Sequence, residues 1–294
     1  MPRTTYFLML LFPILLMSAC QSDQTADNAQ LAELEAKAKE SKSPEDIGQL
    51  IQAYEVEIQG QPEKATQNRI YLKKATDLLN ESGRFSSAAD FLRRILRDYP
   101  DLETIQEDAM ALAGIYDGKL GDKESALSIY QALAEAYETE GAKAKITGAP
   151  SFSERMDTLL ANMVDASTGR ADFKVANQYI TSAENYALVN PSADIAPAKL
   201  YMSAEVARSI RLHQRALEIY EWLINKFPDF EKTPKAYFMR AFTLDEDLNR
   251  EELARQAYQT FIDKFPNDDF ADDAQILIDN LGKSDEEIFQ QFEQ

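Results

Sequence analysis

The sequence predicts an all-α fold, a solenoid of helical hairpins stacked one on the next. The main observation is a recurring group. A small or aliphatic residue is followed four positions later by a bulky residue and, in four copies of six, by a proline eight positions after that. The copies are Leu50/Tyr54/Pro62, Ala88/Leu92/Pro100, Ala126/Tyr130, Ala176/Ile180, Ala216/Tyr220/Pro228 and Ala254/Tyr258/Pro266. They begin 38, 38, 50, 40 and 38 residues apart, a spacing typical of arrays in which each hairpin buries its apolar face on the next.

Two features of the composition support this fold class. Glycine occurs 10 times and proline 11 times, and the prolines stand mostly at predicted helix ends, which favours helices over a turn-rich β architecture. Hydrophobic residues make up 45% and charged residues 28% of the chain, which is ordinary for a folded protein with a continuous core. The 294 residues are therefore expected to form one elongated array rather than separate globular domains.

The charge and the rare residue types narrow the function. The formal charge is −19, from 50 acidic and 31 basic residues, and no basic stripe is present, so nucleic acid is not an expected partner. The acidic surface serves solubility or steers a basic partner surface. With one cysteine, one histidine and no catalytic or nucleotide-binding motif, the chain is predicted to be no enzyme and to hold no metal or cofactor.

The first residues are predicted to be an export signal. The apolar stretch 6–17 is too short to span a bilayer and suits the core of a signal peptide over residues 1–19. The segment that ends it, Leu16-Met17-Ser18-Ala19-Cys20, resembles the bacterial lipobox, although Met17 stands where leucine is usual. The alternative is an ordinary secretory signal with a cysteine near its cleavage site.

The lipobox resemblance implies a lipoprotein. Cys20 would carry several acyl chains, palmitate among them, and more than one chain is what stable anchoring requires. Gln21 replaces the aspartate that retains lipoproteins at the inner membrane, so the resemblance implies attachment to the outer membrane, with the protein facing the periplasm. Residues 20–30 are polar and lack aromatics, which predicts a flexible tether after the lipidated cysteine.

The array follows from residue 31. Ser43-Pro44-Glu45-Asp46 supplies an N-cap, a first-turn proline and early acidic residues, which marks a helix start. Gly83 is predicted to turn the chain between two helices, because glycine tolerates the left-handed backbone there. The pattern lapses over residues 138–153, an insertion interpreted as a surface loop or, alternatively, a functional lip on the rim of the array.

The spacing of small residue, aromatic and proline resembles the tetratricopeptide repeat, most clearly in residues 196–228 and 234–266. This resemblance implies a right-handed α-solenoid over residues 31–283. The ending KFPNDDFADDAQILIDNLGK (residues 264–283) is similar to the tail of the BamD and CpoB (YbgF) type of periplasmic repeat lipoprotein, in which a last helix covers the array. Residues 284–294 are predicted to form a short C-terminal tail helix.

Candidate binding residues follow from the same resemblance, since the first helix of each hairpin would line the concave side. They are Tyr201, Glu205 and Arg208 on one first helix and Phe238, Phe242 and Asp245 on the next. Aromatics between opposite charges suit an extended peptide or a partner helix. The alternative is that Phe238 and Phe242 only pack against the next repeat.

Other titratable residues are interpreted as structural. The acidic run 245–247 is expected to be a solvated turn, and His213 is expected to be a solvated side chain. Asp272-Asp273 is expected to complement a helix dipole. The predicted function is a non-enzymatic scaffold or adaptor that binds envelope proteins or peptides, in outer-membrane protein assembly or envelope coordination. The alternatives are a peptide-binding or secretion-system accessory lipoprotein and, less favoured, a solute-binding or enzymatic lipoprotein.

Overall fold

The computed structural model describes residues 17–165 and 167–283. Within these ranges the chain forms fourteen α-helices and two π-helical turns, and the only β pairing is an isolated bridge between Val164 and Ala171. The predicted fold class, an all-α solenoid of helical hairpins, is confirmed. The chain divides into two compact units, residues 1–95 and 96–294.

The first unit contains three complete helices and most of a fourth. They are α1 (Met17–Ser41), α2 (Pro44–Gly60), α3 (Ala65–Glu81) and α4 (Phe85–Asp98), whose last turn lies beyond the boundary. The N-cap predicted at Ser43 is present, because its side chain accepts a hydrogen bond from the backbone amide of Asp46 at 3.1 Å. Helix α2 packs against both α1 and α3.

The second unit contains the remaining helices. They are α5 (Ile105–Ile115), α6 (Lys123–Tyr137), α7 (Glu140–Lys145), α8 (Phe152–Ala161), α9 (Phe173–Val189), α10 (Ile195–Ser209), α11 (His213–Lys226), α12 (Thr233–Phe242), α13 (Glu251–Lys264) and α14 (Ala271–Asn280). The π-helical turns, Tyr116–Leu120 and Thr243–Asp247, extend α5 and α12. From α9 to α14 each helix packs against the next, which is the stacking expected of a helical-repeat array.

The recurring group forms the centre of the core. All six pairs lie on the second helices of the hairpins, α2, α4, α6, α9, α11 and α13, and all twelve of their first two members are buried. Ala216, Tyr220, Ala254 and Tyr258 have no exposed surface at all. A short side chain followed one turn later by a large one lets two helix axes approach and then fills the space beside them, because i and i+4 share a helix face.

Five of the six hairpin turns share a left-handed residue two positions before the second helix, and the turn between α8 and α9 is the exception. Gly83 and Gly121 occupy this place with φ of 77° and 68°, as the predicted glycine turn requires. Lys42, Arg211 and Asn249 occupy it in three other hairpins with φ of 50°, 65° and 51°. The glycine turn predicted at Gly83 is therefore confirmed, while in the other three hairpins a side chain is tolerated in a conformation that costs most residues free energy.

The irregular interval holds a short helix rather than a plain loop. Helix α7 packs on α6, and Ser151 then opens α8 with a capping box that includes Glu154. Helix α8 has only ten residues, and an eleven-residue turn separates it from α9. Helix α9 packs directly on α6, so the stacking of second helices continues across the insertion.

A buried arginine fastens this interval to the array. Arg155 of α8 is 5% exposed and donates hydrogen bonds to four groups of α6. Its acceptors are the Glu124 carboxylate at 2.7 Å, the Glu124 carbonyl at 2.8 Å, Ser128 Oγ at 3.1 Å and Gln131 Oε1 at 2.5 Å. Gln131 in turn donates to the carbonyl of Pro150 at 2.6 Å. The polar network thus joins α6 both to α8 and to the residue before its N-cap.

The chain ends bear on the predicted signal, tether and tail. Helix α1 begins at Met17, so residues 20–30, for which the sequence predicts a flexible tether, continue the helix that the helix-forming residues 31–41 make. The core of the predicted signal peptide, residues 1–16, and the predicted tail helix, residues 284–294, lie outside the described residues. Among the helices between residues 17 and 283, none combines the length and the apolar character needed to cross a bilayer.

Candidate functional site

The six predicted binding residues lie in the second unit, on α10, α12 and the π-helical turn that follows α12. Two of the aromatics are core residues. Tyr201 is 5% and Phe238 is 7% exposed, and the Phe238 ring stacks on Phe270 at 4.9 Å and meets Phe261 edge-on at 5.7 Å. The packing alternative therefore applies to Phe238, and its contribution to a partner would be support for the surface rather than direct contact.

Arg208, one of the predicted binding residues, contacts two residues of the next hairpin. The Arg208 guanidinium of α10 lies 4.9 Å from the centre of the Phe242 ring and donates to Asp247 of the π-helical turn at 2.5 Å. His213 Nδ1 is 3.7 Å from the same carboxylate, and its side chain is only 20% exposed. The expectation of a solvated His213 is wrong, because the turn between α10 and α11 places the ring against the neighbouring hairpin.

The acidic run 245–247 is not a uniformly solvated turn either. Glu246 is exposed, but Asp245 and Asp247 are half-buried. The run coincides with the π-helical turn, which adds one residue to the end of α12 and turns two of the three carboxylates inward. The sequence interpretation of a solvated turn is therefore correct only for Glu246. Asp247, which accepts from Arg208, is the residue of this surface that the sequence does not single out, since nothing in an acidic run distinguishes its members.

Buried tyrosines contact carboxylates on the preceding first helix. The hydroxyl of Tyr220 donates to Glu205, and that of Tyr258 donates to Asp245 at 3.3 Å. Tyr54 makes the same kind of bond to Glu35 at 2.9 Å in the first unit. Burial, reinforced by the adjacent carboxylate, raises the pKa of all three tyrosines, so each hydroxyl stays protonated and remains a donor.

In the hairpin formed by α5 and α6, a lysine of α7 lies beside the first-helix carboxylate and the second-helix tyrosine. Lys145, the last residue of α7, extends its ammonium to Asp117 Oδ2 at 3.2 Å and lies 5.7 Å from the centre of the Tyr130 ring. The pKa of Lys145 is raised, first by the hydrogen bond to Asp117. The insertion thus places a cation beside the end of α5, the first helix of this hairpin.

The protonation of Asp245 gives a testable pH dependence. Burial, followed by the charge of Glu246, raises the pKa of Asp245 above its usual 3.8, although the bond from Tyr258 acts in the opposite direction. The folded protein therefore binds this proton more tightly than the unfolded chain. The resulting stability is fully present below pH 3.8 and is lost as the pH rises through the folded-state pKa.

We expect Asp245→Asn to raise the midpoint of thermal unfolding at pH 7, because it removes a disfavoured charge and keeps an acceptor for Tyr258. The gain should shrink as the pH falls toward 4. Asp229→Asn, at an exposed position with the same change of net charge, is the matched control and should give no such pH-dependent gain. A lower midpoint for Asp245→Asn at pH 7 would contradict this account. Thermal unfolding followed by circular dichroism measures both variants.

Two further predictions concern the lipidation of Cys20 and metal binding. Cys20 lies in α1, but its side chain is outside the part of the protein whose side chains are described, and its lipidation stays a prediction. Among the described residues, no three histidine, cysteine, aspartate or glutamate side chains are grouped closely enough to hold a metal ion.

Comparison with known proteins supports the repeat assignment locally. Residues 235–268, from α12 to the turn before α14, match the family described as Tetratricopeptide repeat. Repeats of this kind generally form surfaces for protein–protein interaction rather than catalytic sites. No curated protein matches the chain. Among solved structures the chain is similar to the complex of the TPR2AB domain of yeast Sti1 with pHSP90. The sequence identity is 15% and the TM-score 0.28, over 87% of this chain and 100% of that chain.

Proposed function

We propose that this protein is an outer-membrane lipoprotein whose helical-repeat array, displayed to the periplasm, binds protein partners as a non-enzymatic scaffold. The observation that carries the binding part is the regular stacking of α10 to α14, within which residues 235–268 match the tetratricopeptide repeat. Stacked repeats of this kind offer extended binding surfaces, because each hairpin adds a similar face beside the last.

The anchoring part rests on the sequence. The lipobox-like segment ends at Cys20, the only cysteine of the chain, and Gln21 follows it. A lone cysteine in an exported protein has no disulfide partner within its own chain, whereas lipidation accounts for its presence and its position. Assembly of outer-membrane proteins or coordination of the envelope are the processes that this arrangement suits.

A surface rich in charge favours a polar partner segment over an apolar one. On the face that joins α10 to the π-helical turn, Glu246 is exposed, while Arg208 and Asp247 are half-buried and paired with each other. Phe242 lies beneath Arg208 and supplies apolar area next to these charges. A partner strand or helix with both apolar and charged side chains would be matched by this face.

One experiment with two readouts tests the proposal in cells. A photo-crosslinking residue is placed at Glu246, on the candidate face, or at Gln259, an exposed position of α13 that serves as the matched control. Each is combined with native Cys20 or with Cys20→Ser. We expect the native protein to fractionate with the outer membrane and Cys20→Ser to move to the soluble periplasmic fraction.

The crosslinking readout concerns the partner. We expect position 246 to capture the same envelope protein reproducibly and position 259 not to capture it. Membrane association that survives Cys20→Ser would refute the anchor. Equal capture at both positions, or none at position 246, would refute the binding face.

A further inference from the structure

Two hairpins of the second unit correspond residue by residue. Each has a π-helical turn at the end of its first helix, a left-handed residue after it, and an alanine and a tyrosine of the recurring group on its second helix. Asp117 precedes Tyr130 by the same thirteen residues by which Asp245 precedes Tyr258. The closing hydrogen bonds match as well, from Asp122 to Tyr116 at 2.9 Å and from Arg250 to Leu244 at 2.8 Å.

The two corresponding sites differ in what occupies them. On the first, the ammonium of Lys145 binds Asp117 and faces the ring of Tyr130. On the second, Asp245 accepts a hydrogen bond from Tyr258 at 3.3 Å, and within the described residues no lysine or arginine pairs with it. The guanidinium of Arg208, on the preceding hairpin, is engaged by Asp247 and Phe242.

The surroundings of Asp245 are also more negative than those of Asp117. Gly118 and Lys123 of the first hairpin correspond to Glu246 and Glu251 of the second. Both of these glutamates are exposed, and their charges contribute to the raised pKa of Asp245. A cation added here would relieve the repulsion that Glu246 and Glu251 exert on Asp245.

We propose that Asp245, with Tyr258 beneath it and Glu246 and Glu251 around it, binds a lysine or arginine side chain of the protein partner. The inference rests on the proposed function and specifies the chemistry of the partner. Besides the acidic charge, an independent contact indicates a cation at this place: Lys145 of the same chain pairs with the corresponding Asp117 and faces the ring of Tyr130.

The side chain of a basic partner segment fits this arrangement physically. A lysine reaching Asp245 would pair with the carboxylate that Tyr258 holds in place. The bond from Tyr258 fixes one oxygen of the carboxylate, so less side-chain freedom is lost when the cation binds. A negative field around the site would also speed the approach of a basic segment.

The test uses N-acetylated tetralysine amide as the probe and the full chain with Cys20→Ser, so that no lipid interferes. Amide chemical shifts are recorded by NMR during titration at low salt. In the protein with native Asp245 we expect the largest shifts around residues 244–251 and at Tyr258. Asp245→Asn should weaken the apparent affinity at least fivefold, whereas Asp229→Asn, with the same loss of charge at an exposed position, should change it less than twofold.

A second variant tests the internal comparison. Lys145 is half-exposed, so Lys145→Ala should fold, and it should uncover a second site whose shifts centre on Asp117 and Tyr130. Equal affinity for the Asp245→Asn and Asp229→Asn proteins would overturn the inference. Failure of Lys145→Ala to create the second site would also overturn it.

The outcome can be separated from that of the proposed function. If position 246 captures an envelope protein in cells but tetralysine shows no preference for Asp245, the scaffold proposal stands and the cation site is refuted. If tetralysine binds at Asp245 but position 246 captures nothing, the scaffold proposal fails and the site is a cation site without that role.

Discussion

Replacing Arg155 with methionine should lower the free energy of unfolding of the second unit by about 3 kcal/mol. Arg155 is 5% exposed and donates to the Glu124 carboxylate and carbonyl, Ser128 and Gln131. Methionine fills much of the same volume but leaves these acceptors without their donor. An unsatisfied buried acceptor retains its full cost of desolvation, and Glu124 loses the cation that offsets its charge.

The loss of stability should be largest when the most buried member of the Arg155 network is replaced. Glu124 is 36% exposed on its side chain, so Glu124→Gln should cost less than Arg155→Met because water can replace part of the lost interaction. Arg170→Met is the control for arginine removal, since Arg170 is exposed, and it should change stability by less than about 0.5 kcal/mol. Urea unfolding followed by circular dichroism measures all three variants. A cost for Arg155→Met no larger than that for Arg170→Met would show that the network does not stabilise the fold.

Removing the ring of Tyr258 should have a still larger effect, about 4 kcal/mol for Tyr258→Ala. Tyr258 has no exposed surface and lies in a core cluster with Phe238, Ala254 and Phe261. Its ring is 5.8 Å from that of Phe238. Alanine would leave a cavity between α12 and α13 that neighbouring side chains can fill only in part, so both the transfer free energy and the packing contacts are lost.

The hydroxyl and the ring of Tyr258 can be separated. Tyr258→Phe keeps the ring and removes only the bond to Asp245, so it should cost about 1 kcal/mol or less. Gln259→Ala, at the next and exposed position of α13, should be near neutral. Unfolding in urea gives the free energies, and amide hydrogen exchange shows whether the loss is confined to α12, α13 and α14. Similar costs for the alanine and phenylalanine variants would mean that the hydroxyl, not the packing of the ring, stabilises this hairpin.

The fold could be predicted from the sequence because its core is periodic. The pairs from Leu50/Tyr54 to Ala254/Tyr258 recur at intervals that match one hairpin, and each pair proved to be buried on a second helix. Helix starts at Ser43 and turns at Gly83 and Gly121 carry residues whose backbone or side-chain chemistry is specific. By contrast, Lys42 and Arg211 adopt the same left-handed turn geometry, and neither residue type indicates it.

The candidate site could be located but not resolved from the sequence. Spacing along α10 and α12 placed Arg208, Phe242 and Asp245 near one another, and the structure brings Arg208 against Phe242. The spacing in the sequence could not show that Phe238 is buried, because a helix surface that contacts the next hairpin has the same period as one that contacts solvent. Nor could it assign Asp247 to Arg208, since the partner lies in another hairpin and depends on the extra residue of the π-helical turn.

That extra residue shows how an array of this kind can acquire new contacts. The hydrogen bond that closes the α10 to α11 turn joins Leu212 to Ala207, five residues back, whereas the one that closes the α12 to α13 turn joins Arg250 to Leu244, six residues back. One residue rotates the chain by about 100° about the helix axis. The carboxylate that accepts from the tyrosine also differs, from Glu205, fifteen residues before Tyr220, in one hairpin to Asp245, thirteen residues before Tyr258, in the next. The second helix and its stacking are retained, so the chemistry of one groove position can be rewritten without rebuilding the scaffold around it.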